Sequence, residues 1–560
     1  MIAASDGVAL ARAFFVPAAA ESTTRCEPGT SDAECTRFEQ AAAQTAGILS
    51  GQLAQAQDTL LIDIINFQIE LLADDAYYGA IIHRIRTGGS AEDAVRVVTE
   101  DTCGELRGML DNTYLQARTA DIQDIGNRLL AQLNGSTPAQ PPEEPYIAVA
   151  EDLPPSWFLS ADAAELRGIL LRAGGMNSHC AILARARGIP CLIGAGSLID
   201  TISDGKLIYL SSDPCQAIPN PGPDIIAGYQ AIASRQSAEV RALAAYKERP
   251  TQTADGCRVA VYANVGTQAD IQSVAEAGAE GIGLLRTELY FMAQRTLPSA
   301  AEQQAYYASA AAAMPSKPVI IRTLDVGGDK PIDCLPPIPT EANPYLGVRG
   351  IRYCMRHEAL FTQQIDAILL AGQQVQLMFP MVATLEEFRC LRKLVLERAR
   401  VLGLQHEIPI GVMIETPSAA LSAQELAEEA DFFSIGTNDL IQYVFAADRT
   451  NPQMADLNSP FHPVFLRLIR TIIEAAHRFH IPVDICGQAG DIPALIPVWV
   501  GLGVDALSVN PSTVLRVRRQ ICGLRQAACQ TLAQEVLAQR TQDEAQALLQ
   551  AFSQIEKKEE

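Results

Sequence analysis

A glycine-rich turn followed by a histidine is the first group of residues that could do chemistry. The segment runs Gly174-Gly-Met-Asn-Ser-His179-Cys-Ala-Ile-Leu-Ala-Arg-Ala-Arg-Gly-Ile-Pro190. Glycines allow a tight turn and a close approach of the backbone to a ligand. Asn177 and Ser178 suit a helix N-terminus, where free N–H groups and the helix dipole favour an anion. We therefore predict that His179 can hold a phosphoryl group on a ring nitrogen.

A second group of polar residues falls where strand-like runs end in the C-terminal half. Arg286, Arg322 and Arg349 offer forked donors for phosphate and carboxylate groups. Glu415 and Asp439 supply hard oxygens for Mg²⁺, which would be completed by substrate oxygens and water. A structural salt bridge could account for any one of these charged residues. It does not account for all of them at the same end of the strands. The set predicts a site for an anionic, phosphorylated acid.

Cys486 lies in the segment Asp484-Ile-Cys-Gly-Gln-Ala-Gly-Asp491, at the end of a strand-like run and before a glycine turn. Most lone cysteines are inert. A thiol placed beside a reacting carbon can, however, act as a general acid.

The elements that must position these residues fall into two halves. Residues 1–17 read as a strand and 18–36 as a polar loop, and 37–133 carry helical periodicity that predicts a bundle. Gly88-Gly-Ser90 is expected to end one helix and cap the next. Tyr146–Ala150, 190–193 and 207–210 read as strands of a compact α/β domain that the N-terminal strand completes. A helix over 224–247 connects this domain to the next.

From residue 258 onward, strands and helices alternate regularly. The strand-like runs are Val259–Asn264, Gly281–Arg286, Pro318–Arg322, Val375–Pro380, Ile410–Ile414, Phe432–Ile435, Val483–Cys486 and Ala506–Val509. Eight βα units in about 250 residues predict a (β/α)8 TIM barrel rather than a doubly wound open sheet. Active sites of such barrels form at the carboxyl ends of the strands, where the charged residues fall.

Composition restricts the class of protein. The chain has 560 residues, 48% hydrophobic and 19% charged residues, and a formal net charge of −22. The charge argues against nucleic acid or an anionic membrane as the main partner. No signal pattern or membrane span is predicted, and the 13 scattered cysteines contain no CxxC. We expect a cytoplasmic protein with reduced thiols.

The histidine segment resembles the phosphohistidine domain of the phosphoenolpyruvate-utilising enzymes, whose motif runs Gly-Gly-x-Thr-Ser-His. The barrel motifs resemble the enzyme I family of the phosphoenolpyruvate:sugar phosphotransferase system, nearly end to end. The matching segments are Arg118–Leu130, Gly281–Met292, Asp325–Lys330, Glu341–Arg352, Gly411–Ala420, Phe432–Gln442, Arg449 and Cys486–Asp491.

This resemblance implies an α/β multidomain protein. Residues 1–17 and 134–221 would form the phosphohistidine domain, 18–133 an inserted helical domain that docks the phosphocarrier HPr, 222–250 a linker helix, and 251–560 a phosphoenolpyruvate-binding and dimerising TIM barrel. It also implies site roles. The expected catalytic residues are His179 and Cys486, the substrate-binding residues Arg286, Arg322, Asn438, Asp439 and Arg449, and the Mg²⁺ ligands Glu415 and Asp439.

Three departures from the family pattern bear on the recipient of the phosphoryl group. Asn177 replaces the usual Thr before the Ser-His pair, and Gln68 stands where enzyme I often carries a histidine. After Cys486, the loop has Gln488 in place of Glu and is one residue shorter. A divergent paralogue that serves another carrier, or a catalytically weakened regulatory relative, therefore stays open.

Pyruvate phosphate dikinase and phosphoenolpyruvate synthase are the other enzymes with this histidine domain and barrel. They need a large nucleotide-binding domain before the histidine. Here 178 residues precede His179, and they contain no P-loop-like Gly-Lys-Ser/Thr. The sequence therefore disfavours these nucleotide-dependent relatives.

Overall fold

Two units, Met1–Ser237 and Ala238–Glu560, make up the computed structural model. The described residues are all except 17–29, 56–58, 108–112, 136–140, 155–156, 159–164, 177, 295, 328–331, 339, 455 and 560. Asn177 and Lys330, which the sequence motifs include, lie outside the described residues. The predicted domain boundaries are not tested by this division and stay a prediction.

A mixed sheet forms the centre of the first unit. Its strands are β1 (Ile2–Ser5), β2 (Val8–Phe15), β3 (Tyr146–Ala150), β4 (Leu166–Leu171), β5 (Cys191–Ile193), β6 (Leu207–Ser212) and β7 (Cys215–Pro219). They lie in the order β1-β5-β4-β3-β2-β6-β7. β2 pairs in parallel with β3, although the whole helical region lies between them in the chain. The N-terminal strands therefore complete the sheet, and the helical region is an insertion, as predicted.

The inserted region is helical. Its helices are α1 (Ser31–Gln55), α2 (Thr59–Leu71), α3 (Tyr78–Arg86), α4 (Ala91–Arg107) and α5 (Thr113–Leu133). Phe38, Ile65 and Ile125 are among the apolar residues that meet in its core. The predicted loop over 18–36 is wrong at its end, because α1 begins at Ser31. Asp32 and Glu34 in its first turn suit the positive end of the helix dipole.

The predicted cap between α3 and α4 is confirmed. The Asp93 N–H donates to the Ser90 hydroxyl at 3.2 Å. After β4 in the chain, the helices of this unit are α6 (His179–Ala186), a short 3₁₀ helix (Gly196–Thr201) and α7 (Pro223–Ala244). On one sheet face, Leu183 and Ala184 of α6 pack with Ile169. β4 and β7 were not predicted from the sequence.

Eight parallel strands close into a barrel within the described part of the second unit, so the TIM barrel prediction is confirmed. They are β8 (Ala260–Val265), β9 (Ile282–Arg286), β10 (Val319–Arg322), β11 (Val375–Phe379), β12 (Ile410–Ile414), β13 (Phe433–Gly436), β14 (Val483–Cys486) and β15 (Ala506–Val509). Each bound lies within one residue of the prediction. Apolar runs buried on both faces explain this agreement.

Helices surround the barrel strands. They are α8 (Gln268–Ser273), α9 (Thr287–Met292), α10 (Ala300–Ala313), α11 (Ile351–Cys354), α12 (Glu358–Leu369), α13 (Leu385–Val401), α14 (Pro417–Leu421), α15 (Ala423–Ala427), α16 (Thr437–Phe445), α17 (Pro463–Arg478), α18 (Ile496–Leu502), α19 (Val514–Gly523), α20 (Gln526–Ala538) and α21 (Gln542–Glu559). The upper barrel interior is apolar and includes Leu284, Ile320, Met378 and Met413 around Cys486. This layer supports the strand ends from below.

Candidate functional site

The carboxyl ends of the barrel strands surround one cleft of about 140 Å³. Barrel geometry brings these ends to one face, although they are far apart in the chain. The lining includes every barrel residue that the sequence predicted for the site, namely Arg286, Arg322, Arg349, Glu415, Asn438, Asp439, Arg449 and Cys486.

Arg322 is held in place by two carboxylates. It ends β10 and is 7% exposed. Its Nη2 lies 2.6 Å from Glu288 Oε1, and its Nη1 lies 3.3 Å from Asp325 Oδ2. Burial opposes the guanidinium charge, but these two carboxylates outweigh burial and raise the pKa of Arg322. Arg322 is therefore a fixed positive charge at the floor of the cleft.

Arg349 forms a second bridge across the cleft. Its Nη2 lies 3.1 Å from Asp325 Oδ2, and its Nη1 lies 3.0 Å from Asp439 Oδ1. Nη1 also donates to the Tyr443 hydroxyl at 3.2 Å. Arg449 approaches the other Asp439 oxygen at 3.7 Å. The arginines are thus positioned by carboxylates rather than left free to move.

Glu415 is 1% exposed and carries a carboxylate that burial disfavours. Burial, together with the charges of Asp439 and Asp325, raises its pKa to about 8. Its Oε1 accepts a hydrogen bond from the Met381 N–H at 2.7 Å. A Cβ at Gly436 would lie 2.9 Å from the Glu415 side chain, so only glycine leaves room for this carboxylate.

Asn438 and Asp439 lie in the first turn of α16, directly after the carboxyl end of β13. The Gln488 N–H donates to Asn438 Oδ1 at 3.0 Å. The Thr437 hydroxyl donates to the Cys486 carbonyl at 3.1 Å. These contacts join the loop after β14 to α16 and fix the amide of Asn438 at the cleft.

Cys486 is 1% exposed, and its thiol donates to the Ile435 carbonyl at 3.4 Å. Burial, followed by the nearby Asp484 carboxyl, raises the pKa of the thiol to about 12. A thiol with this pKa keeps its proton at neutral pH. It can serve as a proton donor and is a poor nucleophile.

Buried polar atoms without a partner also point into this region. Among the residues that the structure describes, Arg322 Nε, Arg349 Nε and Glu288 Oε2 have no hydrogen-bond partner. Such atoms are costly unless a ligand or water satisfies them. Within the described residues, Arg286 has no ion-pair partner, so its cation is available for a bound anion.

The histidine motif lies at the start of α6, as predicted. The Ser178 hydroxyl accepts a hydrogen bond from the Ala181 N–H at 3.2 Å and caps the helix. The Ser178 N–H donates to the Gly175 carbonyl at 3.1 Å and closes the preceding turn. His179 is the first residue of α6, and its side chain lies outside the described part of the chain.

Family models match both the barrel and the segment with the histidine motif. The model described as PEP-utilising enzyme, PEP-binding domain matches residues 240–526. The PEP-utilising enzyme, N-terminal model matches 2–118, and the mobile domain model matches 142–213. The first match alone covers more than half of the chain. The chain belongs to the PEP-utilising enzyme family.

Curated relatives of this PEP-utilising chain agree over nearly the full length. A phosphoenolpyruvate-protein phosphotransferase from Bacillus sp. (strain S) is 36% identical and covers 97% of this chain and 96% of its own. One of the same name from Geobacillus stearothermophilus is 36% identical, with the same coverage. A solved structure titled as Enzyme I covers 42% of this chain and 98% of its own at 25% identity, with a TM-score of 0.36.

The sequence analysis missed two residues that contact the arginines of the cleft, Tyr443 and Met413. Tyr443 lies on α16, bonds Arg349, and donates to the Tyr345 carbonyl at 2.5 Å. Met413 Sδ accepts from Arg322 at 3.6 Å. Neither residue type signals a site by itself. A search one helical turn beyond Asp439 would have found Tyr443 on the same face of α16.

Two observations bear on metals and membranes. Among the described residues, no group of three or more His, Cys, Asp or Glu side chains could hold a metal ion on its own. A pair such as Glu415 and Asp439 still fits Mg²⁺, which commonly takes one or two protein carboxylates and completes its shell with substrate and water. Within the described chain, every helix is too short or too polar to span a bilayer.

Proposed function

We propose that the chain takes the phosphoryl group of phosphoenolpyruvate onto His179 and passes it to a histidine of an HPr-like phosphocarrier, releasing pyruvate. This is the first step of sugar uptake by the phosphotransferase system. The observation that carries the proposal is the barrel cleft, where Arg286, Arg322 and Arg449 meet two acids and a protonated thiol.

Phosphoenolpyruvate carries a phosphate and a carboxylate on one small skeleton. Arg286 is available to bind one of these groups, and Arg322 and Arg449 lie at the same cleft. Asn438 adds an amide that the Gln488 N–H holds in place. Because buried carboxylates already orient Arg322, little entropy of its side chain is lost when the substrate binds.

Mg²⁺ is the proposed cofactor, with Glu415 and Asp439 as its protein ligands. Burial, followed by the charges of Asp439 and Asp325, raises the pKa of Glu415, and a divalent ion beside these carboxylates would favour their charged forms. When bound, Mg²⁺ would neutralise charge that develops on the transferring phosphoryl group.

The proposed chemical step breaks the bond between phosphorus and the enol oxygen. The ring nitrogen of His179 takes the phosphoryl group, and the leaving group is the enolate of pyruvate. The Cys486 thiol then gives its proton to C3, which yields pyruvate and a thiolate. His179 must reach the cleft for this transfer.

Labelling with ³²P-phosphoenolpyruvate and Mg²⁺ tests the proposal. Wild type and the His83→Ala control, which changes an exposed histidine in the same unit, should take up acid-labile, base-stable label. His179→Ala should take up none. Label on His179→Ala, or no label on wild type, would contradict the proposal.

The recipient is proposed to dock on the inserted helices. Gln68 is 1% exposed, and its Nε2 donates to Asp124 Oδ2 at 2.9 Å, so it links α2 to α5 inside the bundle. A buried link of this kind supports the bundle and leaves the docking contacts to its exposed side chains. Transfer of label from the phosphorylated chain to purified HPr tests this step. Retention of label would indicate another carrier or a regulatory relative.

Dimerisation through the barrel and a cytoplasmic location belong to the same proposal. Dimerisation comes from the family resemblance alone, and the cytoplasmic location comes from the acidic composition and the scattered cysteines. Sedimentation of the full chain with and without Mg²⁺ and phosphoenolpyruvate tests the dimer. A monomer under both conditions would remove that part of the proposal.

A further inference from the structure

A buried carboxyl lies directly beneath the proposed proton donor. Asp484 and Cys486 are two residues apart on β14, so their side chains point to the same side of the strand. Asp484 is 4% exposed and Cys486 is 1% exposed. The proposed binding and phosphoryl-transfer steps give Asp484 no role, although burying a carboxyl is costly.

Ser434 lies next to both groups. In the register of β13 and β14, Ser434 is opposite Asp484 and Gly436 is opposite Cys486. The Ser434 hydroxyl donates to Asp484 Oδ2 at 3.0 Å, and the proximity of Ser434 lowers the pKa of the Cys486 thiol against the larger effect of burial. Gly436 has no side chain that could separate the hydroxyl from the thiol.

The surroundings of Cys486 are otherwise apolar in its own layer. Leu284, Ile320, Met378, Met413 and Phe432 pack with it in one cluster. After Cys486 protonates an enolate, the remaining thiolate must regain a proton before the next cycle. The hydrogen-bonded pair of Ser434 and Asp484 lies beside Cys486, one step back along β13 and β14.

We propose that Asp484 returns a proton to the Cys486 thiolate through the Ser434 hydroxyl. The Asp484 O–H bond breaks as its proton moves to the Ser434 oxygen, and the Ser434 proton moves to the Cys486 sulfur. Serine ends unchanged, the thiol is restored, and water then reprotonates the Asp484 carboxylate. This relay rests on the proposed function, because it acts only if Cys486 is the proton donor.

The proton affinities agree with this direction. Burial raises the pKa of Asp484 to about 8, with a smaller contribution from Asp505, while that of Cys486 is raised to about 12. Transfer from the carboxyl to the thiolate is therefore downhill. Tyr262 on β8 also faces this region, and burial followed by Asp484 raises its pKa to about 12. Tyr262 therefore stays neutral over the working range.

Two exchange measurements with phosphoenolpyruvate, pyruvate and Mg²⁺ separate the relay from a structural role. Incorporation of ¹⁴C-pyruvate into phosphoenolpyruvate needs the Cys486 thiol. It does not need the thiol to exchange its proton with solvent. Incorporation of deuterium from D₂O into the pyruvate methyl group needs the sulfur to exchange its proton between cycles. Asp484→Asn and Ser434→Ala should slow deuterium incorporation about tenfold. They should keep ¹⁴C exchange within about twofold of wild type.

Ser508→Ala is the matched control. Ser508 is a buried hydroxyl on β15 that bonds Asn264 Oδ1 at 2.6 Å, and its removal should change neither exchange rate. Equal loss of both exchanges in Asp484→Asn, or no change in either, would overturn the relay. Cys486→Ala tests the proposed function separately. If that variant incorporates deuterium normally, Cys486 is not the donor and the function proposal fails at that step.

Discussion

The barrel cleft and the His179 turn hold their functional residues in different ways. In the cleft, Arg322 and Arg349 are buried and fixed by carboxylates at 2.6 to 3.3 Å. At the turn, backbone and capping contacts support the residues, with Ser178 as the cap of α6. A binding site benefits from prearranged charge. A residue that carries a group between partners needs its ring accessible more than it needs fixed counter-charges.

Arg322→Met should give the largest effect and tests whether the cleft charges hold one another in place. The change keeps bulk but leaves Glu288 and Asp325 buried without this partner. Breaking a buried pair costs about 3–5 kcal/mol. We expect this loss of barrel stability together with a loss of phosphoenolpyruvate labelling. The free energy of unfolding is measured from Trp499 fluorescence in a Trp157→Phe background, since the chain has 2 tryptophans.

Arg286→Met is the paired control for that variant. Within the described chain, Arg286 lines the same cleft without an ion-pair partner. It should lose labelling with about 1 kcal/mol or less of stability change. An equal loss in the free energy of unfolding for both variants would contradict the difference between the two arginines that the cleft geometry indicates.

Asp484→Asn should give the next largest effect on barrel stability. It tests a buried carboxyl in the barrel interior below the cleft. The folded pKa of Asp484 is raised to about 8, above its value in the unfolded chain. Between about pH 4 and 8, the unfolded chain therefore binds fewer protons, and wild-type stability falls as pH rises, by up to about 1.4 kcal/mol per pH unit. Removing the carboxyl removes this loss.

The measurement is urea unfolding of both proteins, followed by Trp499 fluorescence from pH 5 to pH 8. The variant should gain stability relative to wild type as pH increases. A pH-independent difference would show that the Asp484 carboxyl does not stay protonated in the folded barrel. Ser508→Ala again serves as the control, since it removes a buried hydroxyl that does not titrate in this range.

Barrel strands were predictable because their apolar runs are buried on both faces and bounded by polar residues. β4 was missed because Gly168 interrupts its run. A Cβ there would lie 3.0 Å from Leu210 and 3.1 Å from Ala9, so the sheet requires glycine where local propensity disfavours a strand. β7 was missed because it is a short edge strand that ends at Pro219.

The site was predictable wherever a charged residue or a thiol ends a strand, as at Arg322 and Cys486. Tyr443 and the Ser434–Asp484 pair were not, because their importance depends on a partner in another element. Arg349 and Tyr443 are 94 residues apart, and Ser434 and Asp484 are 50 apart. Spacing along one chain segment carries no information about such pairs until the barrel closes.

Ser178→Ala should have a smaller effect and tests the turn side of the comparison. It removes the hydroxyl that caps α6. Loss of a cap costs about 1 kcal/mol. We expect this loss in the first unit, followed by Trp157 fluorescence in a Trp499→Phe background, and slower labelling of His179. Ser178→Thr keeps a capping hydroxyl and should restore both. No change in labelling would mean that the cap does not orient His179.

Gln488→Glu should have the smallest effect, although it restores the acidic residue of the family pattern. The side chain is exposed, and the contact that reaches the cleft is its backbone N–H to Asn438 Oδ1. Glutamate keeps that N–H, so the phosphoenolpyruvate concentration for half-maximal labelling should stay within about twofold of wild type, since exposed changes rarely exceed about 0.5 kcal/mol. Gln488→Pro removes the donor and should raise that concentration several-fold. If instead Gln488→Glu raises activity strongly, the side chain of this loop acts on the substrate directly, and the backbone contact is not what the loop contributes.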